Sequence, residues 1–509
     1  MSCYPLFIRA TLWLLITSFS AAASVRRSCS LPAVDLGYEI HQAITLDDGG
    51  RYNSSNIRYA AAPVGELRFA APSPPPVNRA TVQIGDEVRI CPQAAVGWLQ
   101  QNILHGIPYV LGPNGTIPPS FAGAVSPVSE DCLFLDVVVP KKVFENTSLE
   151  KAPVIVWIYG GGFVNGIKSS SNSGLPGGLL DRAGNNAVYV ALNYRLGAFG
   201  FLAGASFEDA GGVPNAGLLD QRLALEWVQE NIHLFGGDPQ RVTVMGESAG
   251  GGSILHQITA NGGSQGPAYP ESVKERKFID FLQLLNVSSL AEARQVPSEA
   301  LIQANAEYIA GQPTGGVLPF LPSHDGSFLP DEPATLLAQG RFDQSVDIFV
   351  GSNTNDGLYF GDFAVTSDDE FRAWLAQVYS SIRPEDVETL TTSLYPPVFD
   401  GSQGYIDQAG RTGRFAQDFL FQCNGLTLAW AKMNQTFTYE FAVSPALHAL
   451  DIAYTFYNDD PSTVLAPQAA KTLQQYITSF AIDGTPSSPG SPSIPFYGPS
   501  GQILVLDTT

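Results

Sequence analysis

Positive charge is scarce in this 509-residue chain: 27 Lys and Arg stand against 48 Asp and Glu, for a formal net charge of −21. No basic cluster interrupts the deficit, so nucleic acid would meet a repulsive surface and is excluded as a partner. Long apolar runs are missing too. Beyond Ser24 none approaches about 18 residues, so no integral membrane segment is expected once the amino end is removed. Internal repeats are absent, as is any Pro/Ser-rich linker between regions of different composition, which argues against a string of domains. Disorder is excluded by the 44% hydrophobic and 11% aromatic content, enough for a large core. Charged residues reach only 15%, a surface whose solubility rests on net negative charge and glycans.

What is present at the amino end is an export signal. "MSCYPLFIRATLWLLITSFSAAAS" carries Arg9, an apolar stretch from Ala10 to Phe19 and small residues Ala21 to Ala23. We expect residues 1–23 to be a cleaved signal peptide, residues 24–509 to form one domain, and the product to be secreted (extracellular). Cys3 lies in the signal, leaving Cys29, Cys91, Cys132 and Cys423, an even number suited to two disulfides in an oxidising compartment. Glycosylation sequons at Asn53, Asn114, Asn146, Asn286 and Asn434 agree with export.

Strand-like and helical runs alternate, as an α/β fold with a mostly parallel sheet flanked by helices requires. "APVIVWIYGGGF" (152–163) is an apolar strand ending in three glycines, and "NAVYVALNYRLGAFGF" (186–201) holds another. "AGLLDQRLALEWVQENIHLFGGDP" (216–239) has helical spacing and stops at Gly236-Gly237. "VTVMGESAGGGSILHQ" (242–257) then places one hydroxyl between glycines. Val242 to Met245 reads as a short buried strand and Ala249 to Ile258 as a helix, so Ser248 sits where a nucleophile elbow would hold it. Side chains two positions either side of the serine would collide with the neighbouring strand or helix, hence Gly246 and Gly250. With 50 Gly in the chain, such a pentapeptide arises by chance at roughly a few tenths per sequence, so the context carries the reading.

A serine hydroxyl needs a histidine to take its proton, and that histidine needs a carboxylate to fix its tautomer. In a chain order of serine, acid, histidine, only His256, His324 and His448 are available after Ser248. His256, eight residues along the helix, is roughly 12 Å away. His324 precedes the best acid. That acid is Asp356, in the turn "GSNTNDG" after the strand Val346 to Val350, at the carboxyl edge where open sheets build their sites. His448 follows a strand ending at Val443. The loop Tyr159-Gly160-Gly161-Gly162-Phe163, with the amide of Ala249, can present donors to an oxyanion.

In combination these stretches resemble the type-B carboxylesterase/lipase family, which includes fungal secreted carboxylesterases, lipases and sterol esterases. Further matches are "IRYAAAPVGELRF", "SEDCLFLDV", "PNAGLLDQ", "NTNDGLYF" and "ALHALDIAYTF". The resemblance implies an α/β-hydrolase fold, catalytic Ser248, Asp356 and His448, and an oxyanion hole of Gly161, Gly162 and Ala249. It also implies a disulfide between Cys91 and Cys132, leaving Cys29 and Cys423 to pair by elimination.

Three departures stand out. The acid is usually Glu, one methylene longer than Asp356. The loop bounded by Cys91 and Cys132 is long and apolar, with Trp98, Ile103, Leu104, Ile107, Tyr109, Val110 and Leu111; it is either a flap over the site or a packed surface loop. After the nucleophile helix, relatives continue into an apolar strand of the central sheet, whereas this chain passes from "ITANGGSQG" to "PAYPESVKERKFIDF". The sheet is therefore expected to lack one central strand, through substitution by a neighbouring segment or through a shortened gene model. The reading is a secreted serine carboxylic-ester hydrolase acting on small-molecule esters, apolar or lipid-like, without metal or cofactor. The alternatives are a non-catalytic binding protein on the same fold and a peptidase.

Overall fold

The computed structural model describes residues 31–111, 128–145, 150–170, 173–259, 269–312, 314–379, 382–432, 435–498 and 500–508, with backbone only for residue 100 and residues 106–111. The signal segment, Cys29 and the sequons at Asn114, Asn146 and Asn434 lie outside these residues. Of the other two sequons, Asn53 is half-buried within a strand and Asn286 is exposed in the turn after a helix.

Among the described residues twelve strands form three sheets. A small one joins β1 (Ala33–Asp35), β2 (Glu39–Gln42) and β5 (Asn78–Gln83). The main sheet runs in the order β3 (Thr45–Leu46), β4 (Arg51–Arg58), β6 (Phe134–Pro140), β8 (Val188–Leu192), β7 (Ala152–Ile158) and β9 (Gly237–Gly246). β7 lies parallel to β8 and to β9, with Val156 opposite Val190 on one side and Val244 on the other. β6, β7 and β8 are buried at every residue, as continuous apolar strands covered on both faces must be. Each fully buried Val or Ile there contributes about 1.5–3 kcal/mol over leaving it in water.

The third sheet is β10 (Ile348–Asn353), β11 (Thr436–Phe441) and β12 (Leu504–Leu506), all parallel. Among the described residues it does not join the main sheet: there β9 pairs with β7 alone and β10 with β11 alone. A cleft of about 1070 Å³ lies between the two strands, lined also by Ser248, Asp356 and His448. Val242 to Met245, expected to be buried, are only half-buried; among the described residues one flank of their strand has no paired strand. Side chains still bridge the two halves. Leu255 of the helix Ala249–Ile258 packs with Ile348 and Leu428.

The helix Ala216–Asn231 continues as a tight turn, Ile232–Phe235, and stops at Gly236. That residue has φ 86°, a left-handed conformation that glycine adopts without penalty. Cys91 and Cys132 form a disulfide. Cys423 is a free, exposed thiol; Cys29, its expected partner, lies outside the described residues. Among the described residues, no helix is long and apolar enough to cross a membrane.

Candidate active site

Ser248 lies between the end of β9 and the start of the helix Ala249–Ile258, with φ 55° and ψ −125°. A non-glycine residue held there stores strain, which the surrounding packing must sustain. A Cβ on Gly250 would lie 2.0 Å from the Ile158 carbonyl oxygen, and one on Gly246 2.6 Å from the Gly250 carbonyl carbon. Both glycines are thus required by backbone contact, as the sequence predicted.

Asp356 and His448 come from the third sheet. β10 and β11 pair in register up to Asn353 with Phe441, and a further bridge joins Asn355 to Leu447. That bridge brings the next residues, Asp356 and His448, side by side. His448 Nδ1 is 2.7 Å from Asp356 Oδ1, and Nε2 is 2.8 Å from Ser248 Oγ. With Nδ1–H donating to the carboxylate, Nε2 is left to accept from the serine hydroxyl. Asp356 is 5% exposed and its other oxygen accepts from the Asn353 amide at 2.7 Å. His256, by contrast, is fully buried in the nucleophile helix near Phe163, and His324 stands beside Glu332.

Two opposed effects set the basicity of His448. Burial lowers it, but the charge of Glu247, the bond to Asp356 and the charges of Asp356 and Asp451 outweigh that and raise it to about 9. Glu247 Oε1 is 3.2 Å from Nε2 yet makes no hydrogen bond, because Nε2 already faces Ser248. Burial pushes the Glu247 carboxyl up to about 7 against the opposing pull of His448.

The glycine loop follows β7. Gly161 and Gly162 have φ 104° and 63°, and a Cβ on Gly160 would lie 2.7 Å from that of Ser248. The amides of Gly161, Gly162 and Ala249 donate to no described group, which leaves them free for an oxyanion. The loop is anchored by Tyr159, stacked on Tyr194 at 4.6 Å, each hydroxyl donating to the other's carbonyl.

The sequence pattern of the Carboxylesterase family matches residues 45–266 and 269–507. The chain belongs to that family. It is similar to Carboxylesterase patB of Aspergillus clavatus, 38% identical over 98% of this chain and 97% of that protein. It is also similar to a secreted lipase of Arthroderma benhamiae, 32% identical over 75% of this chain and 77% of that one. Among solved structures, Aspergillus niger EstA superposes with a TM-score of 0.77 at 25% identity, covering 94% of each chain. The chain is therefore a carboxylic ester hydrolase of the α/β-hydrolase fold.

Several groups around the histidine of this carboxylesterase-family site escape sequence reasoning. Asn353 donates to the Leu447 carbonyl and to Asp451, while Gln417 donates to the Asn353 carbonyl and accepts from the Gly357 amide. Asp451, raised to about 6 by burial and then by the Asp356 charge, had a signal in its place three residues after His448; Gln417 had none. Phe421 and Phe360 flank the imidazole at 4.6 and 5.1 Å. Phe360 also meets Trp98 of the helix Gly97–Leu111 at 6.0 Å. Trp98 and Ile103 are buried and Leu104 is exposed, so the described part of the Cys91–Cys132 loop is packed beside the site.

Proposed function

We propose that residues 24–509 form one secreted catalytic domain that hydrolyses esters through an acyl-enzyme on Ser248. The observation that carries this reading is the continuous relay from Asp356 through His448 to Ser248, at 2.7 and 2.8 Å. His448 Nε2 takes the hydroxyl proton as Oγ attacks the ester carbonyl carbon, and the amides of Gly161, Gly162 and Ala249 hold the oxyanion. The alcohol leaves with that proton. Water, giving its own proton to Nε2, then attacks the acyl-enzyme, and Nε2 returns that proton to the departing Ser248 Oγ as the acid is freed. Secretion is supported by the amino-terminal signal pattern and by the secreted lipase among the relatives.

An apolar or lipid-like ester suits the aromatic groups beside His448 and the apolar helix Gly97–Leu111. Rates on p-nitrophenyl esters from acetate to palmitate test that part: they should rise with acyl length, and a maximum at acetate or butyrate overturns it. Trapping with a phosphonate and locating the adduct by mass spectrometry tests the nucleophile, with Ser248 as the expected position. The unpartnered flank of β9 favours a second reading, a binding protein on the same fold. Equal hydrolysis by the wild-type chain and Ser248→Ala would select it.

A further inference from the structure

An apolar segment beside an ester site is either a flap or a fixed wall, and the side chains of the helix Gly97–Leu111 decide between the two. Asn102, 5% exposed, donates to the Tyr359 carbonyl at 2.8 Å and to the Gly361 carbonyl at 2.7 Å. Both hydrogens of its amide group are thereby used. The two carbonyls bracket Phe360, whose ring meets the His448 imidazole edge-on at 5.1 Å.

One turn back on the same helix face stands Trp98. Its ring touches Phe360 at 6.0 Å, and its indole N–H donates to the Val317 carbonyl at 2.8 Å. The next residue, Leu318, has its own carbonyl held by the Tyr269 hydroxyl at 2.6 Å. Its side chain reaches the oxyanion loop: a Cβ on Gly162 would lie 2.9 Å from Leu318 Cδ2. The foot of the helix is seated as closely, since a Cβ on Gly97 would lie 2.2 Å from the Ala310 carbonyl oxygen. The helix therefore reaches both sides of the reacting centre, the imidazole through Phe360 and the oxyanion loop through Leu318. Lifting it would break three hydrogen bonds at once and uncover Trp98 and Ile103, which are buried.

We propose that Asn102 and Trp98 are positioning residues that make the segment 97–105 a fixed brace, setting Phe360 against His448 and Leu318 against Gly162, so that dissolved esters enter without an opening movement. Its kinetic consequences rest on the acyl-enzyme reading of Ser248; the brace itself does not.

The test begins with the whole wild-type chain. Amide exchange of residues 98–105 should be the same with and without micelles of a non-hydrolysable ether lipid, and tributyrin hydrolysis should follow one saturation curve through the solubility limit. Asn102→Leu then keeps the size of the side chain and removes the donor. It should lower kcat on p-nitrophenyl butyrate about 10–100-fold, the effect of a misplacement of about 1 Å, with KM changed by less than about threefold. Phe360→Leu should act likewise, and the double variant should fall little below the worse single one, because both act through one contact. If Asn102→Leu does not fold, Trp98→Phe, which removes only the indole N–H, replaces it in the cycle. Exchange of residues 98–105 that micelles accelerate about tenfold or more, a jump in rate at the solubility limit, or losses that simply multiply would each overturn the proposal. A chain that hydrolyses no ester and takes no phosphonate on Ser248 would refute the catalytic reading instead, and the exchange measurement would still decide the brace.

Discussion

β7 and β9 are parallel neighbours built from similar apolar residues, yet β7 is buried throughout while β9 is half-buried along most of its length. Company, not composition, separates them. β7 has a strand on each side; β9 has one strand and a cleft. The contrast extends to the site, because Ser248 follows the half-buried strand while Asp356 and His448 follow strands of the detached sheet. An isolated strand edge normally costs a protein its unpaired amides. Here side-chain packing above and below the gap, and the relay itself, hold the halves in place.

The largest expected effect tests whether the halves work as one unit. Ser248→Ala should lower kcat by roughly 10⁴–10⁶-fold, and adding His448→Ala should lower it little further, since members of a triad are strongly non-additive. Steady-state kinetics on a p-nitrophenyl ester would reveal independent action as a second large drop. Asp356→Asn should follow at roughly 10⁴-fold, through loss of the productive tautomer.

Stability should separate the two strands more gently. Val156→Ala in β7 should cost about 2–3 kcal/mol and Val244→Ala in β9 under about 1 kcal/mol, by urea unfolding. Equal losses would mean that β9 is as enclosed as β7 in solution.

The pH profile probes the carboxylate on the β9 side. Activity needs neutral His448, whose pKa is raised to about 9, so kcat/KM should climb with pH through that value. Glu247→Gln removes a charge that favours the imidazolium. The pKa then falls and the rising limb should move to lower pH by about one unit. A limb that stays in place would show that Glu247 does not act on His448. The smallest effect is expected from Cys423→Ser, under about 0.5 kcal/mol for an exposed free thiol. A loss of about 2 kcal/mol or more would instead reinstate its bond to Cys29.

Strands such as "APVIVWI" and the glycine-flanked Ser248 were legible because their causes are local: apolar runs, turn sterics and fixed chain order. The partners of Ser248 were legible for a related reason, since few histidines follow it. Gln417 and Asn353 were not, because their roles exist only once distant segments meet, and a lone amide in a sequence carries no sign of what it will bond. Counting cysteines says less: it assumes that each finds a partner, and Cys423 is exposed and free. The open flank of β9 among the described residues carries no local mark in the sequence, because pairing depends on which distant segment comes to lie beside a strand.

The contacts from Asp356 to His448 to Ser248 also fasten the two sheets to one another. An acyl group on the serine oxygen takes away the proton by which the imidazole holds it, so each catalytic cycle would open this clasp and shut it again. Turnover and the cohesion of the molecule would then keep the same rhythm.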